Sequence, residues 1–209
     1  MPARTRESPT FPLGTVLFPH AVLPLHVFEP RYRAMMRDVL AGDQQFGVVL
    51  IERGSEVGGG DARFATATVA HVVSATELPD GRYALTAVGV ARVRVERWLP
   101  DDPYPRAEIS EITDVAPGPG ARAAFDATVA RLHEVRDLAA RLQGLDEVPP
   151  LVLADDLEQA SFEIAALAGL GPLDAQHLLE QPGTDARLAM LDASLADTAS
   201  MLRARLGGG

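Results

Sequence analysis

Residues 11–28 read Phe11-Pro12-Leu13-Gly14-Thr15-Val16-Leu17-Phe18-Pro19-His20-Ala21-Val22-Leu23-Pro24-Leu25-His26-Val27-Phe28, and Glu29-Pro30-Arg31-Tyr32 follows at once. The run is apolar and rich in β-formers, and Pro12, Pro19 and Pro24 interrupt it. Proline cannot donate to a strand ladder, so it belongs at strand starts, edges and bends. The expectation is two short strands joined by a turn near Pro19–Ala21. Pro30 then opens a helix, because its fixed φ suits the first turn and its missing N–H would be unpaired there anyway. Tyr32, Met35, Met36, Val39 and Leu40 form one apolar stripe at helical spacing, which predicts that Met35 and Met36 pack in a core. Gly42 is a fitting stop.

Working outward, Phe46–Ile51 is a continuous apolar run, expected as a strand buried on both faces. Residues 52–63 read as a loop, and Phe64–Leu78 as a strand. Asp80-Gly81 signals a two-residue hairpin turn. Tyr83–Trp98 returns as a long strand, where Gly89 suggests a bulge or sharp bend. Strict alternation over Arg92–Glu96 places Arg92 and Arg94 together on a solvated outer face. Arg106–Ile112 is the last strand. Pro117-Gly118-Pro119-Gly120 marks a break, after which the period changes. Amphipathic helices are predicted over 121–143, about 155–168 (Leu157, Ile164 and Leu167 inward), 174–180 and 184–206. Leu142 closes the stripe of the first, and the glycine tail 207–209 is expected to be disordered. The fold class is therefore α+β: a curved sheet or small β-barrel with one inserted helix over residues 1–116, then a helical bundle over 117–209.

Composition narrows the chemistry. The 209 residues carry 19 basic and 29 acidic side chains, and the net charge is -10. Every basic residue is arginine, so no Schiff-base lysine, Ser-Lys dyad or P-loop lysine exists within this sequence. There is no cysteine, which removes disulfides, thiolate metal sites and cysteine nucleophiles. The negative charge opposes binding to polyanions, which needs a basic patch. The polar start and the lack of a long apolar run lead to the expectation of a cytoplasmic protein. The histidines (His20, His26, His71, His133 and His177) show no i, i+3 or i, i+4 pairing, so no metal and no cofactor is expected. His26 is read as a core residue or one that supports a neighbouring group, rather than as a catalytic one. No Gly-x-Ser-x-Gly elbow is present. Gly58-Gly59-Gly60 lacks the strand-loop-helix setting of a phosphate loop and reads as a loop tip. Asp101-Asp102 and Asp155-Asp156 fit a turn and a helix start.

Several of these blocks together resemble the N-terminal, substrate-binding domain of Lon proteases. They are Phe11–Leu13, Val16–Pro19 and Leu23–Tyr32; Leu78–Tyr83 followed by Gly89–Val95; Pro103–Glu108; and, in the helical part, Ala175–Glu180 and Arg187–Leu191. The resemblance covers roughly residues 10–205. It implies a PUA-like β-domain followed by helices, and a role in holding protein or peptide substrates. In full-length Lon an ATPase module and a Ser-Lys protease module follow. A stand-alone, non-enzymatic form is expected here, since the sequence ends before them and holds no lysine.

The implied partners are unfolded or exposed apolar polypeptide segments. A separate protease or ATPase and a homodimer remain open, and no membrane or nucleic acid is expected. Such binding needs an apolar groove or an open sheet edge. Leu23, Leu25 and Phe28, with Glu29, Arg31 and Tyr32 at the helix start, are the candidate peptide-binding residues, and the loop Arg53–Arg63 is a second candidate lining. Burial of Leu23–Phe28 in a barrel core, and of the corner residues in fixing the helix start, stays open. RNA binding by the PUA-like fold, and a hydrolase with a dispersed triad, are the alternatives.

Overall fold

The computed structural model describes residues 5–53, 62–145 and 147–207. The Gly58–Gly60 tip and the last two residues of the glycine tail lie outside them. The order is β1 (Thr5–Leu13), β2 (Val22–Val27), α1 (Pro30–Ala41), β3 (Gln45–Arg53), β4 (Ala62–Glu77), β5 (Tyr83–Leu99), β6 (Arg106–Glu111), α2 (Ala121–Gln143), α3 (Leu157–Leu167), α4 (Pro172–Leu179) and α5 (Thr184–Gly207). The chain divides into two compact units, Met1–Thr113 with Pro172–Leu179, and Asp114–Gly171 with Glu180–Gly209.

The first unit is a ring of strands with a sixth strand attached. β5 pairs β4, β4 pairs β3, β3 pairs β1, β1 pairs β6, and β6 returns to β5. Only the β1–β3 pair is parallel among these. Val49, Ala67, Val69, Val93, Val95, Ala107 and Ile109 pack together on one face of the ring. They are mostly small or β-branched, which suits the narrow interior of a five-stranded barrel. The other face carries a second core, in which Met35, Met36 and Val39 of α1 meet Phe46, Val48, Val72, Leu85 and Ala87. The apolar stripe of α1 is thus buried as its spacing predicts, and β3 is buried on both faces. The fold class expected from the sequence is the one observed.

Some details of this unit differ from expectation. The hairpin between β4 and β5 has a three-residue loop, Pro79–Gly81, closed by a 2.8 Å bond from Leu78 N to Arg82 O. Gly81 has φ +76°, the left-handed position that a three-residue hairpin assigns to glycine. Arg92 is not on a solvated face, being 4% exposed. Its Nη1 donates to the Leu179 carbonyl at 2.6 Å, and Gln176 Nε2 donates to the Thr66 carbonyl at 3.1 Å. Helix α4 therefore packs on β4 and β5 and belongs with the barrel. The sequence reading had grouped it with the later helices, because alternation shows that a face exists but not what covers it.

In the second unit α2 and α5 lie side by side, joined by a 2.7 Å pair between Arg131 and Asp192. Asp156 caps α3 by accepting from Gln159 N at 2.9 Å, as favoured at a helix N-terminus. Leu142 and Leu167, expected inward, are exposed; both sit in the final turn of their helix, where the stripe runs past its partner.

Arg187 is the organising side chain of this unit. It is 0% exposed. Its Nε donates to Ser161 Oγ at 2.8 Å, its Nη2 pairs with Asp114 at 2.6 Å, and its guanidinium lies 3.8 Å from the Phe162 ring centroid. One side chain on α5 thereby holds α3 and the segment leading into α2.

Breaking a buried pair by removing one partner costs about 3–5 kcal/mol, because the other charge stays buried. Arg187→Ala should lower stability by that amount in urea unfolding followed by helical circular dichroism. An effect below about 1 kcal/mol, the usual size for an exposed pair, would contradict this role.

Candidate functional site

Among the described residues the outer strand β2 pairs with β5 alone. β5 serves two partners along the same side: Tyr83–Val88 pairs β2, and Val93–Leu99 pairs β6. Between these stretches the chain preceding β2 crosses over Gly89. A Cβ at Gly89 would stand 2.3 Å from the Phe18 carbonyl oxygen, so no larger residue fits. His20 N donates to Gly89 O at 2.8 Å and Gly89 N to Ala21 O at 3.0 Å. His20 has φ +66°. This is a bulge that re-aims the chain into β2. Antiparallel ladders alternate from such a pair, which turns the backbone groups of Val22, Pro24 and His26 to the open side. Pro24, which has no N–H, sits there without leaving a gap in the ladder.

The side chains of β2 alternate as well. Val27 is buried, and Leu23 and Leu25 are half-buried against the core that α1 covers. Val22, Pro24 and His26 are exposed. His26 therefore does not lie in the core as the sequence reading expected; its apolar neighbours Leu25 and Val27 are the inward residues, one position out of phase with it.

Two hollows adjoin at His26. One, of 310 Å³, is lined by Pro24, Leu25, Ser74, Ala84, Leu85 and Thr86 with His26. The other, of 90 Å³, is lined by Val27, Phe28, Leu78, Arg82 and Tyr83 with His26. Val22 is 64% exposed, Phe28 56% and Val73 57%. Val73 is the extra residue at the β4 register shift between Val72 and Ser74. The sequence reading missed it, since two adjacent valines look alike whichever of them a bulge turns outward.

The six candidate residues thus part company. Phe28 lies on the surface, and Leu23 and Leu25 offer only edges. Glu29 accepts from Arg31 Nε at 3.1 Å, so these two fix the start of α1. Tyr32 is 2% exposed, stacks on Phe11 with centroids 4.2 Å apart, and lies under the Arg31 guanidinium at 4.4 Å. Of the second candidate lining, residues 54–61 lie outside the described residues. Arg63 belongs to β4, pairs with Asp101 at 2.8 Å and lies over Trp98.

Two tyrosines near α1 have hydroxyls held above their ordinary pKa. For Tyr83 the cause is burial first, then the Glu77 charge, with Arg37 and Arg33 pulling the other way. Tyr104 is pushed up to about 12, by burial first and then by its hydrogen bond to Asp38, which is 2.8 Å long. Neither is poised to act as a base near neutral pH. Among the described residues no cluster of His, Asp or Glu could hold a metal ion, and no helix is long and apolar enough to cross a membrane. What the arrangement offers is an open strand edge with apolar side chains and hollows beside it.

Comparison with known proteins gives a consistent picture. The model of the ATP-dependent protease La (LON) substrate-binding domain matches residues 7–196. Lon protease 2 of Herpetosiphon aurantiacus is 29% identical over 206 residues, covering 96% of this chain and 25% of that protein. Lon protease 2 of Sorangium cellulosum is 30% identical over 209 residues, covering 94% and 25%. The chain spans about a quarter of the length of these relatives. The crystal structure of a Lon N-terminal domain protein from Xanthomonas campestris matches with TM-score 0.63 and 28% identity, over 90% of this chain and 98% of that one. The N-terminal domain of a Mycobacterium avium complex Lon protease, 17% identical with TM-score 0.61, shares the fold.

The placement of Tyr32 and Phe28 has a measurable consequence. Tyr32→Ala should cost about 3–5 kcal/mol, as for other large core aromatics, whereas Phe28→Ala should stay within about 0.5 kcal/mol. Thermal and urea unfolding of both variants checks this, and equal losses would mean that Phe28 is not the surface residue described.

Proposed function

The chain belongs to the ATP-dependent protease La (Lon) substrate-binding domain family, and on that premise we propose that it recognises unfolded or exposed apolar stretches of polypeptide and catalyses no reaction by itself. The observation that carries this reading is the open edge of β2, with Val22 and Phe28 exposed at its two ends. An extended guest strand would take backbone hydrogen bonds from β2, and its alternate side chains would reach the hollows on either side of His26. Backbone pairing is indifferent to sequence, and shallow apolar hollows select only loosely, which suits a receptor for many unfolded chains.

The non-catalytic part rests on chemistry. Without lysine these 209 residues cannot form the lysine of a phosphate-binding loop or a Ser-Lys dyad. The guest would be passed to a separate ATPase or protease. The charge of -10 also favours a polypeptide guest over a nucleic acid.

The test is fluorescence anisotropy of labelled apolar peptides and of a permanently unfolded protein against the full chain. Saturable binding is expected, and Val22→Asp with Phe28→Asp should weaken it at least about tenfold by placing charge at apolar contacts. The same variants should keep the unfolding midpoint of the parent. No binding at high micromolar protein, or binding indifferent to both substitutions, would reject this surface. Nucleotide hydrolysis or casein cleavage that copurifies stoichiometrically with the chain would reject the non-catalytic assignment.

A further inference from the structure

We propose that Arg33 and Arg37 form an anion subsite beside the β2 edge, taking a carboxylate of the bound polypeptide. The proposal rests on the recognition reading for the source of the carboxylate, but the subsite stands on its own geometry.

The two arginines are one helical turn apart on α1, so they share a face. Like charges at that spacing destabilise a helix, and the usual remedy is a nearby carboxylate. The corner does use that remedy elsewhere. Glu29 holds Arg31 and Asp80 holds Arg82 at 2.7 Å, while Asp38 is engaged by the Tyr104 hydroxyl. Arg33 and Arg37 make no ion pair among the described residues. The sequence has ten more acidic than basic residues (29 against 19), so leaving two guanidiniums without an ion pair is not for want of acids.

Arg33 is also built into place. Its Nη2 and Cζ lie 2.0 and 2.9 Å from where a Cβ on Gly81 would be, so the guanidinium rests against the hairpin loop at its glycine. Its Nε is buried without a hydrogen-bond partner, a cost that native structures seldom carry without a reason. Arg37 is exposed. Both guanidiniums act on the Tyr83 hydroxyl, and Tyr83 lines the 90 Å³ hollow together with Phe28 and Leu78. Glu77 faces the same hydroxyl and offsets part of the positive charge there.

The chemistry selected is therefore an apolar side chain followed closely by a carboxylate. A chain ending in an apolar residue has this arrangement, and so does an apolar residue beside Asp or Glu. Guanidinium forks suit carboxylates, and charge-assisted bonds are roughly twice as strong as neutral ones.

The experiment uses the full chain with arginine side chains labelled for NMR. N-acetyl-leucine, which has a free carboxylate, should shift the Arg33 and Arg37 Nε–H resonances saturably; N-acetyl-leucinamide should not. A leucine-rich peptide with a free C-terminus should bind about tenfold more tightly than its amide. An amidated peptide carrying glutamate beside its last leucine tells a side-chain carboxylate from a terminal one. Arg37→Gln, at an exposed position, should remove most of the difference between acid and amide and leave binding of the amide unchanged. Arg33→Lys should keep part of it, having the charge without the fork. Arginine resonances unmoved by the acid, or equal affinity for acid and amide, would overturn the subsite. Shifted arginines in a protein that binds no polypeptide would uphold the subsite and reject the recognition reading.

Discussion

One side of β5 has to hold two strands, and the rest of the barrel unit follows from how that is arranged. β6 closes the ring along one half of β5 and β2 lies along the other. The chain entering β2 passes over the junction at Gly89, where its own backbone comes too close to admit a Cβ. Thr68 Oγ1 fastens the crossing by donating to the Leu17 carbonyl at 2.6 Å. Were the junction wider, β2 could not reach its register on β5. Were β2 to lengthen toward β6, it would compete for the strand that closes the ring. The open edge is thus a by-product of closing a small barrel, and edges are where proteins bind extended chains.

Two buried guanidiniums do for each unit what a larger apolar core would do elsewhere. Arg92 ties α4 to the barrel through the Leu179 carbonyl. Arg187 ties α3 and the Asp114 segment to α5. Both are arginine, as every basic residue here must be, and the group is suited to the task. Its planar fork can serve several acceptors at once, and it is less strongly hydrated than an ammonium, so it is easier to bury. Arg187 shows this plainly, with Ser161, Asp114 and the Phe162 face around one side chain. The cost of burial makes such a residue a poor source of net stability but a strong determinant of which arrangement is adopted.

Against these fixed points, the surface around β2 is sparsely furnished. It has exposed valine and phenylalanine side chains, two shallow hollows, a strand edge and a pair of arginines that form no ion pair among the described residues. The proposed receptor role asks for backbone extension, apolarity and a terminal charge, and each has a simple physical counterpart here: an edge, a hollow, a guanidinium.

The sequence by itself determined the element order, the strand-rich first part and the helical second, the buried stripe of Met35, Met36 and Val39, and the exclusion of lysine chemistry. These depend on local period, proline and glycine punctuation and composition, which are properties of neighbours along the chain. It also marked Leu23–Phe28 as the stretch of interest. Tertiary structure alone decided that Phe28 faces outward while Tyr32 stacks in the core, and that His26 is exposed between inward leucine and valine. It likewise decided that Val73 is turned out by a bulge, that Arg92 is covered by α4, and that Arg33 meets Gly81. Each depends on register or on a contact between residues far apart in sequence, and a one-residue shift in register exchanges the two faces of a strand. Periodicity can say that a strand has two faces; only the packed neighbours settle which of them meets water.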